Sequence, residues 1–304
     1  MARRSVVRTL LCAVALMLCP AVTLAEVTAE RTDSGVVIKL DGQPFAKYLT
    51  RSGSKPVVWP IIGPTGKPMT RHYPMDEAPG ESHDHPHHRS LWFTHGRVNG
   101  VEFWLEGDKR GTIEHREFVK VEGGETATIV THNVWKAPDG KEVCQDERQL
   151  VFGGDEDARW IDFSISVRAS NGPLTFGRTK EGTFGVRMAT TMRPDKGAGK
   201  IVNSEGQTDK SAWSKRAAWV DYHGPIEGEM VGLAILNHPS SFRFPTHWHV
   251  RTYGLFAANP FMKEDHKIEP GDAMTLRYRI FLHRGDEKQG EVAEEFERYI
   301  ETAE

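Results

Sequence analysis

Between Trp160 and Arg168 the chain reads Trp-Ile-Asp-Phe-Ser-Ile-Ser-Val-Arg, an alternation that puts Ile161, Phe163, Ile165 and Val167 on one side. Successive side chains of a strand point to opposite faces, so this run asks for a strand with one face buried and one face wet. A helix would instead repeat its apolar positions every three or four residues. Similar runs occupy 36–40, 113–121, 126–135, 142–152, 183–191, 217–222, 231–236, 247–256 and 273–283, separated by turn signals such as Asp139-Gly140, Gly153-Gly154 and Pro270-Gly271. Ten strands with this patterning predict an all-β fold, a large antiparallel β-sandwich of two sheets packed face to face. Only 287–302 has helical periodicity, with Val292, Phe296 and Tyr299 or Ile300 spaced to form a short C-terminal helix over a sheet edge.

The first 25 residues follow a different rule. Arg3, Arg4 and Arg8 precede an apolar run from Thr9 to Leu24 that ends in small Ala25 ahead of Glu26, the layout of a signal peptide cleaved after Ala25. The expected product, 26–304, is periplasmic or secreted, without membrane insertion. No Pro/Ser-rich spacer, repeat or low-complexity tract divides it, so it is expected to form a single domain. Cys12 and Cys19 leave with the signal, and Cys144 alone can make neither an intrachain disulfide nor a cysteine metal cage. Losing three arginines leaves 36 Lys+Arg against 42 Asp+Glu, a formal charge of −6. That balance argues against nucleic acid and anionic membranes as partners.

Chemistry concentrates at 83–89, His-Asp-His-Pro-His-His-Arg, where four imidazoles and a guanidinium fall within seven residues. His83, His85, His87, His88 and Arg89 are therefore candidate site residues, with aromatic Trp92 just beyond as a stacking platform. If the run is extended, His83, His85 and His87 share a side and could hold a divalent metal, although Pro86 interrupts the ladder. In 247–253, a period of two gathers His247, His249, Arg251 and Tyr253 on one face, with Trp248 and Val250 behind. In 180–187, Lys180 precedes Glu181, and Glu181, Thr183 and Arg187 share a side opposite Phe184 and Val186. Trp104, Trp135 and Trp160 read as core, while Trp92, Trp213 and Trp248 read as candidates to line a pocket.

Pro60-Ile61-Ile62-Gly63-Pro64-Thr65-Gly66, then His85-Pro86-His87-His88-Arg89-Ser90-Leu91-Trp92, Val98-Asn99-Gly100 and Phe103-Trp104 resemble the PmoA-like family of exported bacterial proteins. Lys180-Glu181-Gly182, His249-Val250-Arg251-Thr252-Tyr253-Gly254 and Asn259-Pro260-Phe261 extend the resemblance over roughly 40–285. The label borrows the name of a multispanning methane monooxygenase subunit. Nothing in the mature chain has the length to span a bilayer, so the resemblance implies no methane oxidation here. It implies a supersandwich of the galactose-mutarotase-like type, and the case for Glu181 as a site carboxylate rests on it.

Together these readings predict an exported carbohydrate-active enzyme of the isomerase, epimerase or lyase type, working on a sugar or uronate. His88 or His249 with Glu181 would supply acid and base. His83, His85, His87, Arg89, Trp92, Lys180, Arg187, His247, Arg251 and Tyr253 would bind the carbohydrate. Both catalytic histidines are expected to be partly exposed, so that replacing them leaves stability nearly unchanged. Two alternatives stay open: a noncatalytic carbohydrate-binding protein, and a metal-dependent hydrolase or oxygenase with His83, His85 and His87 as ligands. The preferred reading needs no cofactor.

Overall fold

The structure, a computed structural model, describes residues 25–302; the expected signal peptide, Ala25 apart, lies outside the described residues. The first strands are β1 (Val27–Thr32), β2 (Gly35–Leu40), β3 (Gln43–Ser52), β4 (Lys55–Ile61), β5 (Leu91–His95) and β6 (Thr112–Glu122). Next come β7 (Ala127–Lys136), β8 (Glu142–Gly154), β9 (Ala158–Arg168), β10 (Leu174–Phe176), β11 (Gly182–Arg187) and β12 (Lys200–Asn203). The last are β13 (Trp219–Ile226), β14 (Glu229–Asn237), β15 (His247–Val250), β16 (Leu255–Asn259), β17 (His266–Ile268) and β18 (Ala273–Arg284), followed by helix α1 (Val292–Thr302).

Two eight-stranded sheets result, ordered β1-β2-β3-β4-β5-β11-β16-β15 and β12-β13-β14-β18-β9-β8-β7-β6, with β10 and β17 forming a small separate pair. The pairings within both large sheets are antiparallel. Strand β9 shows why the alternation was informative: Ile161, Phe163, Ile165 and Val167 are at most 4% exposed, while Asp162, Ser164 and Ser166 are half-buried on the other face. The inner faces meet through ring contacts that cross the sandwich. Phe45 meets Phe152 with centroids 5.8 Å apart, Phe93 meets Phe163 at 6.2 Å, and Phe184 stacks on Tyr278 at 4.7 Å. The architecture is the all-β sandwich expected, and its energetics are dominated by this apolar interior.

Two boundaries differ from expectation. The 247–256 run is two strands, because a turn over Arg251–Gly254 folds β15 back on β16; Gly254 N–H donates to the Arg251 carbonyl, and Gly254 sits at φ +97°, a left-handed conformation that glycine tolerates. The 183–191 run stops at Arg187 and gives way to a short 3-10 turn at Thr190–Met192.

Helix α1 forms as predicted but covers a sheet face, not an edge. Val292, Phe296 and Tyr299 pack on Ala234, Leu236 and Phe281 of the interior strands β14 and β18. Arg279 secures that contact, pairing with Asp162 at 2.6 and 2.8 Å and with Glu295 at 2.7 Å while its guanidinium lies 4.6 Å from the Trp160 ring.

One ion pair is buried inside the sandwich. Asp146 accepts from Asn133 at 2.7 Å, Trp135 Nε1 at 2.6 Å, and Arg148 at 2.9 Å through both Nε and Nη2. Asp146→Ala would strand the Arg148 guanidinium, itself 2% exposed. We expect a loss of about 3–5 kcal/mol in a urea melt; a loss under about 1 kcal/mol would show that the pair is dispensable.

Candidate active site

On the outer face of the first sheet one row crosses five strands: Val57 on β4, Trp92 on β5, Gly185 on β11, Ala257 on β16 and His249 on β15 are Cα partners in succession. Gly185 and Ala257 leave the middle of the row low. The Trp92 indole occupies part of that space, since a Cβ on Gly185 would lie 2.7 Å from its ring. Strand β11 is buried on both faces, so this outer surface lies beneath loops.

The loop carrying the histidine run is tied down by Asp84 and two buried arginines. Arg71 Nη1 donates to Asp84 Oδ1 at 2.7 Å, and Arg187 Nη2 lies 3.0 and 3.2 Å from the two carboxylate oxygens. Ser82 donates to Oδ1 at 2.8 Å and His85 Nδ1 to Oδ2 at 2.6 Å. Partial burial would raise the Asp84 pKa, but Ser82, Arg187, His85 and Arg71 outweigh it and hold the carboxyl far below the usual range. Arg71 also donates to the backbone carbonyls of Tyr73, Asp84 and His85, which fixes the loop's path. Within it, His85 sits at φ +46° and Ser90 at φ +54°, left-handed conformations that non-glycine residues seldom adopt.

Four rings then stack in sequence: Tyr253 on His85 (5.4 Å, 12°), His85 on His88 (4.8 Å, 9°), and His88 on Trp92 (5.3 Å, 14°). The Arg187 guanidinium lies 5.1 Å from the Tyr253 ring. Arg187 Nη1 is 3.2 Å from His88 Nδ1. A guanidinium only donates, so Nδ1 must be the acceptor and His88 is a neutral imidazole. Burial, then the charges of its neighbours, push its pKa well down.

The structure brings many of the predicted residues together, but not all. His85, His88, Arg187, Trp92 and Tyr253 form one contact chain. His249 joins from β15 as the Cα partner of Ala257, and burial, then the Arg251 charge, bring its pKa to about 4. Glu181 is next along the chain, with Lys180 Nζ 3.5 Å from its carboxylate and its field reaching Tyr253 and Glu102. Arg251 lies in the turn with its guanidinium 5.2 Å from the ring of exposed Trp213.

Others face elsewhere. Arg89 is spent on Glu106, at 2.8 Å through Nε and Nη2, and on Ser52 at 3.1 Å. Lys55 completes that cluster, 2.7 Å from Glu106. His83 stacks on Tyr73 apart from the other two, while His85, bonded to Asp84, and His87, edge-on to Trp104, meet each other at 5.8 Å and both pack on His88. His247, half-buried at the β15 edge, pairs in register with Asn259.

Burial corrects three expectations. His88 is 1% and His249 2% exposed, so neither is the partly exposed group anticipated, because the loop and the turn close over them. Trp92 is also 2% exposed, with His88 on its ring, and Trp248 belongs to the interior core. Trp213 remains open at 36%.

Three further residues belong to the site without a sequence signal of their own: Asp84 lies among the histidines, Arg71 has no local pattern, and Glu102 stands beside the apolar Phe103-Trp104 pair. Burial raises the Glu102 pKa despite the N–H groups of Leu105 and Trp104, and Glu181 adds to the rise. A Cβ on Gly96 would lie 3.0 Å from Glu181 Cβ and 3.5 Å from Glu102 Oε1, so glycine at 96 lets the two acids converge.

Fold and site together define a two-sheet antiparallel β-sandwich protein with a cluster of arginines, histidines, carboxylates and aromatic rings over one outer face. Residues 35–297 match a family of unknown function (DUF6807), and the chain belongs to that family. The PmoA-like name is carried by the motif resemblance alone. No curated protein matches the chain. Among solved structures it is similar to an alpha-galactosidase from Lactobacillus brevis (10% identity, TM-score 0.46, covering 86% of this chain and 40% of that one). It is also similar to a GH36 alpha-galactosidase from Geobacillus stearothermophilus (10%, 0.47, 87% and 42%) and to a putative aldose 1-epimerase from Escherichia coli K12 (10%, 0.32, 86% and 99%). The chain spans about two fifths of those alpha-galactosidases. The likenesses are distant, and the fold assignment rests on this chain's own sheets.

Buried histidines make stability depend on pH. His95, wholly buried, is held at about 4 by burial, as is His249, and His88 is also pushed down. With folded pKa values below the unfolded 6.5, the unfolded chain binds more protons, so stability is full above about pH 6.5 and is lost as pH falls toward 4. His283, whose pKa is raised, works in the opposite direction. His95 alone contributes on the order of 3 kcal/mol. Thermal midpoints at pH 7.5 and 5 test this; equal values would contradict it.

Proposed function

We propose that the outer face of the first sheet binds an anionic sugar, a uronate, and that proton transfer on that sugar is the chain's activity. The observation that carries the reading is the setting of Glu181: a half-buried carboxylate converging with the raised-pKa Glu102 across Gly96, with its field reaching Tyr253. Epimerisation, mutarotation or elimination needs one group to take a proton and another to give one. Glu181 takes it, and Glu102, the carboxyl that converges with it across Gly96, gives it. Asn259 holds the Lys180–Glu181 turn through the Thr179 and Lys180 carbonyls, and His88 aligns Arg187.

Charge favours an anionic substrate. Arg71 and Arg187 share the Asp84 carboxylate, with Glu81 also acting on Arg71, and Arg251 adds a guanidinium from the turn that has no carboxylate partner among the described residues. Arg187 Nε, Arg251 Nε and His249 Nδ1 have no hydrogen-bond partner within the protein. A guanidinium fork suits a carboxylate, and the open Trp213 ring suits a sugar face. The resemblance to exported proteins with a galactose-mutarotase-like fold points the same way, as does the secretory layout of 1–25. Among the described residues no helix is long and apolar enough to cross a membrane.

A second reading, a noncatalytic carbohydrate-binding protein, draws on the burial of His88 and His249, which leaves both imidazoles neutral and covered. Incubating the protein with a panel of hexoses and hexuronates in D2O, followed by NMR, separates the two. We expect deuterium incorporation or turnover with a uronate. Glu181→Gln should lower it by about 10²–10⁴-fold with little change in thermal midpoint. His88→Ala should instead cost about 1–3 kcal/mol of stability, because it leaves Arg187 short of an acceptor. Binding without exchange by any sugar would establish the second reading, and no binding at all would remove both.

A further inference from the structure

The outer face of the second sheet holds a separate cluster that the proposed activity does not use. Asp221 and His223 stand two residues apart on β13, and Glu287 reaches them from the turn between β18 and α1. One ligand atom from each lies within 4.8 Å of the others. His223 Nδ1 is 2.6 Å from Asp221 Oδ1 and 3.7 Å from Glu287 Oε2. Donor atoms about 2.0–2.2 Å from a tetrahedral zinc sit roughly 3.4 Å apart, a value these two separations bracket.

A fourth group orients the cluster. His283 Nε2 donates to Asp221 Oδ2 at 2.9 Å, and its Nδ1 faces the Arg284 carbonyl at 3.1 Å. Carbonyls and ionised carboxylates only accept, so both ring nitrogens carry protons and His283 is an imidazolium. It therefore cannot itself be a ligand; it fixes Asp221 from behind, as partners behind metal ligands do. Its ring is wedged between Gly232 and Gly290, where a Cβ on either would come within 2.1 Å of it.

His283 backs Asp221, which is wholly buried, while among the described residues the Glu287 carboxylate, 13% exposed, has only the His223 ring as ion-pair partner and no side-chain hydrogen bond, so its oxygens are free to take a cation. We propose that Asp221 Oδ1, His223 Nδ1 and Glu287 Oε2 bind a first-row divalent transition ion of the zinc class. One imidazole and two carboxylates suit such an ion better than calcium or magnesium, which prefer oxygen alone. Binding releases the proton between His223 and Asp221, with water completing the coordination. The ion staples the turn before α1, and through it the helix, to β13. The site is structural and independent of the sugar reading.

The full chain, stripped with chelator and dialysed, is titrated with Zn2+ by calorimetry and with Co2+ by visible absorption. We expect one ion per chain, Co2+ ligand-field bands, and a thermal midpoint raised by several degrees at a hundredfold excess over Kd. Glu287→Gln, at a partly exposed residue with no side-chain hydrogen bond to lose, should weaken affinity at least tenfold and abolish the thermal shift, as should His223→Gln. His132→Ala serves as control, since His132 lies between Glu117 at 3.1 Å and Glu147 at 3.0 Å on the protein surface. The proposal is overturned if neither ion binds, or if binding survives Glu287→Gln. Loss of binding in His132→Ala alone would place the ion at that surface cluster instead.

Discussion

Asp84, held between Arg71 and Arg187, is the interaction on which the rest of the site depends. Both guanidiniums are at most 1% exposed, and burying them uncompensated would cost several kcal/mol each. The carboxylate that offsets them belongs to the histidine loop. The same contact that settles the arginines therefore fixes the loop over the sheet. Arg187 passes this order to His88 through Nδ1, His88 lies on Trp92 and under His85, and His85 meets Tyr253 from a turn well over a hundred residues away. Burial, then the Arg187 charge, bring the Arg71 pKa down to about 10, against the pull of Asp84 and Glu81.

The sandwich deals with its two outer faces differently, and function follows the difference. The second sheet is sealed over β14 and β18 by α1, whose apolar stripe lies on Phe281 and Leu236. The first sheet is covered by loops that bring polar groups with them. Loops carry binding groups because a rigid sheet beneath can position them. Val57, Trp92, Trp104, Leu255 and Ala257 form a small apolar cluster under that cover, so the polar contacts above it stand on a packed base.

That difference also decides what the sequence discloses. Strand β9 is apolar on one side and half-wet on the other, and its alternation is plain. Strands β5, Leu-Trp-Phe-Thr-His, and β16, Leu-Phe-Ala-Ala-Asn, are buried on both faces and have no clean alternation, so they carry no period-two signal. The period of two was sound from His247 to Val250 and failed at Gly254, where a positive φ reverses the chain. In the site, residue type was enough to mark the histidine run, Arg187, Arg251 and Tyr253. Their partners were not readable, because Arg71, Asp84 and Glu102 acquire meaning only when distant strands meet. Glu287 is the extreme case, an acid in a turn whose neighbours lie on β13. Arg89 was marked by its place beside the histidines and yet points to Glu106, because adjacent residues in a loop need not share a direction.

The most direct test of the account is a crystal structure of the protein soaked with the hexuronate that binds it most tightly. The account predicts sugar density over the first sheet, with the carboxylate at Arg251, the ring on Trp213 or Tyr253, and a carbon-bound hydrogen within reach of Glu181. Density confined to the charged groove of about 470 Å³ on the second sheet, lined by Arg116, Glu117, His132, Glu147 and Arg168, would contradict it.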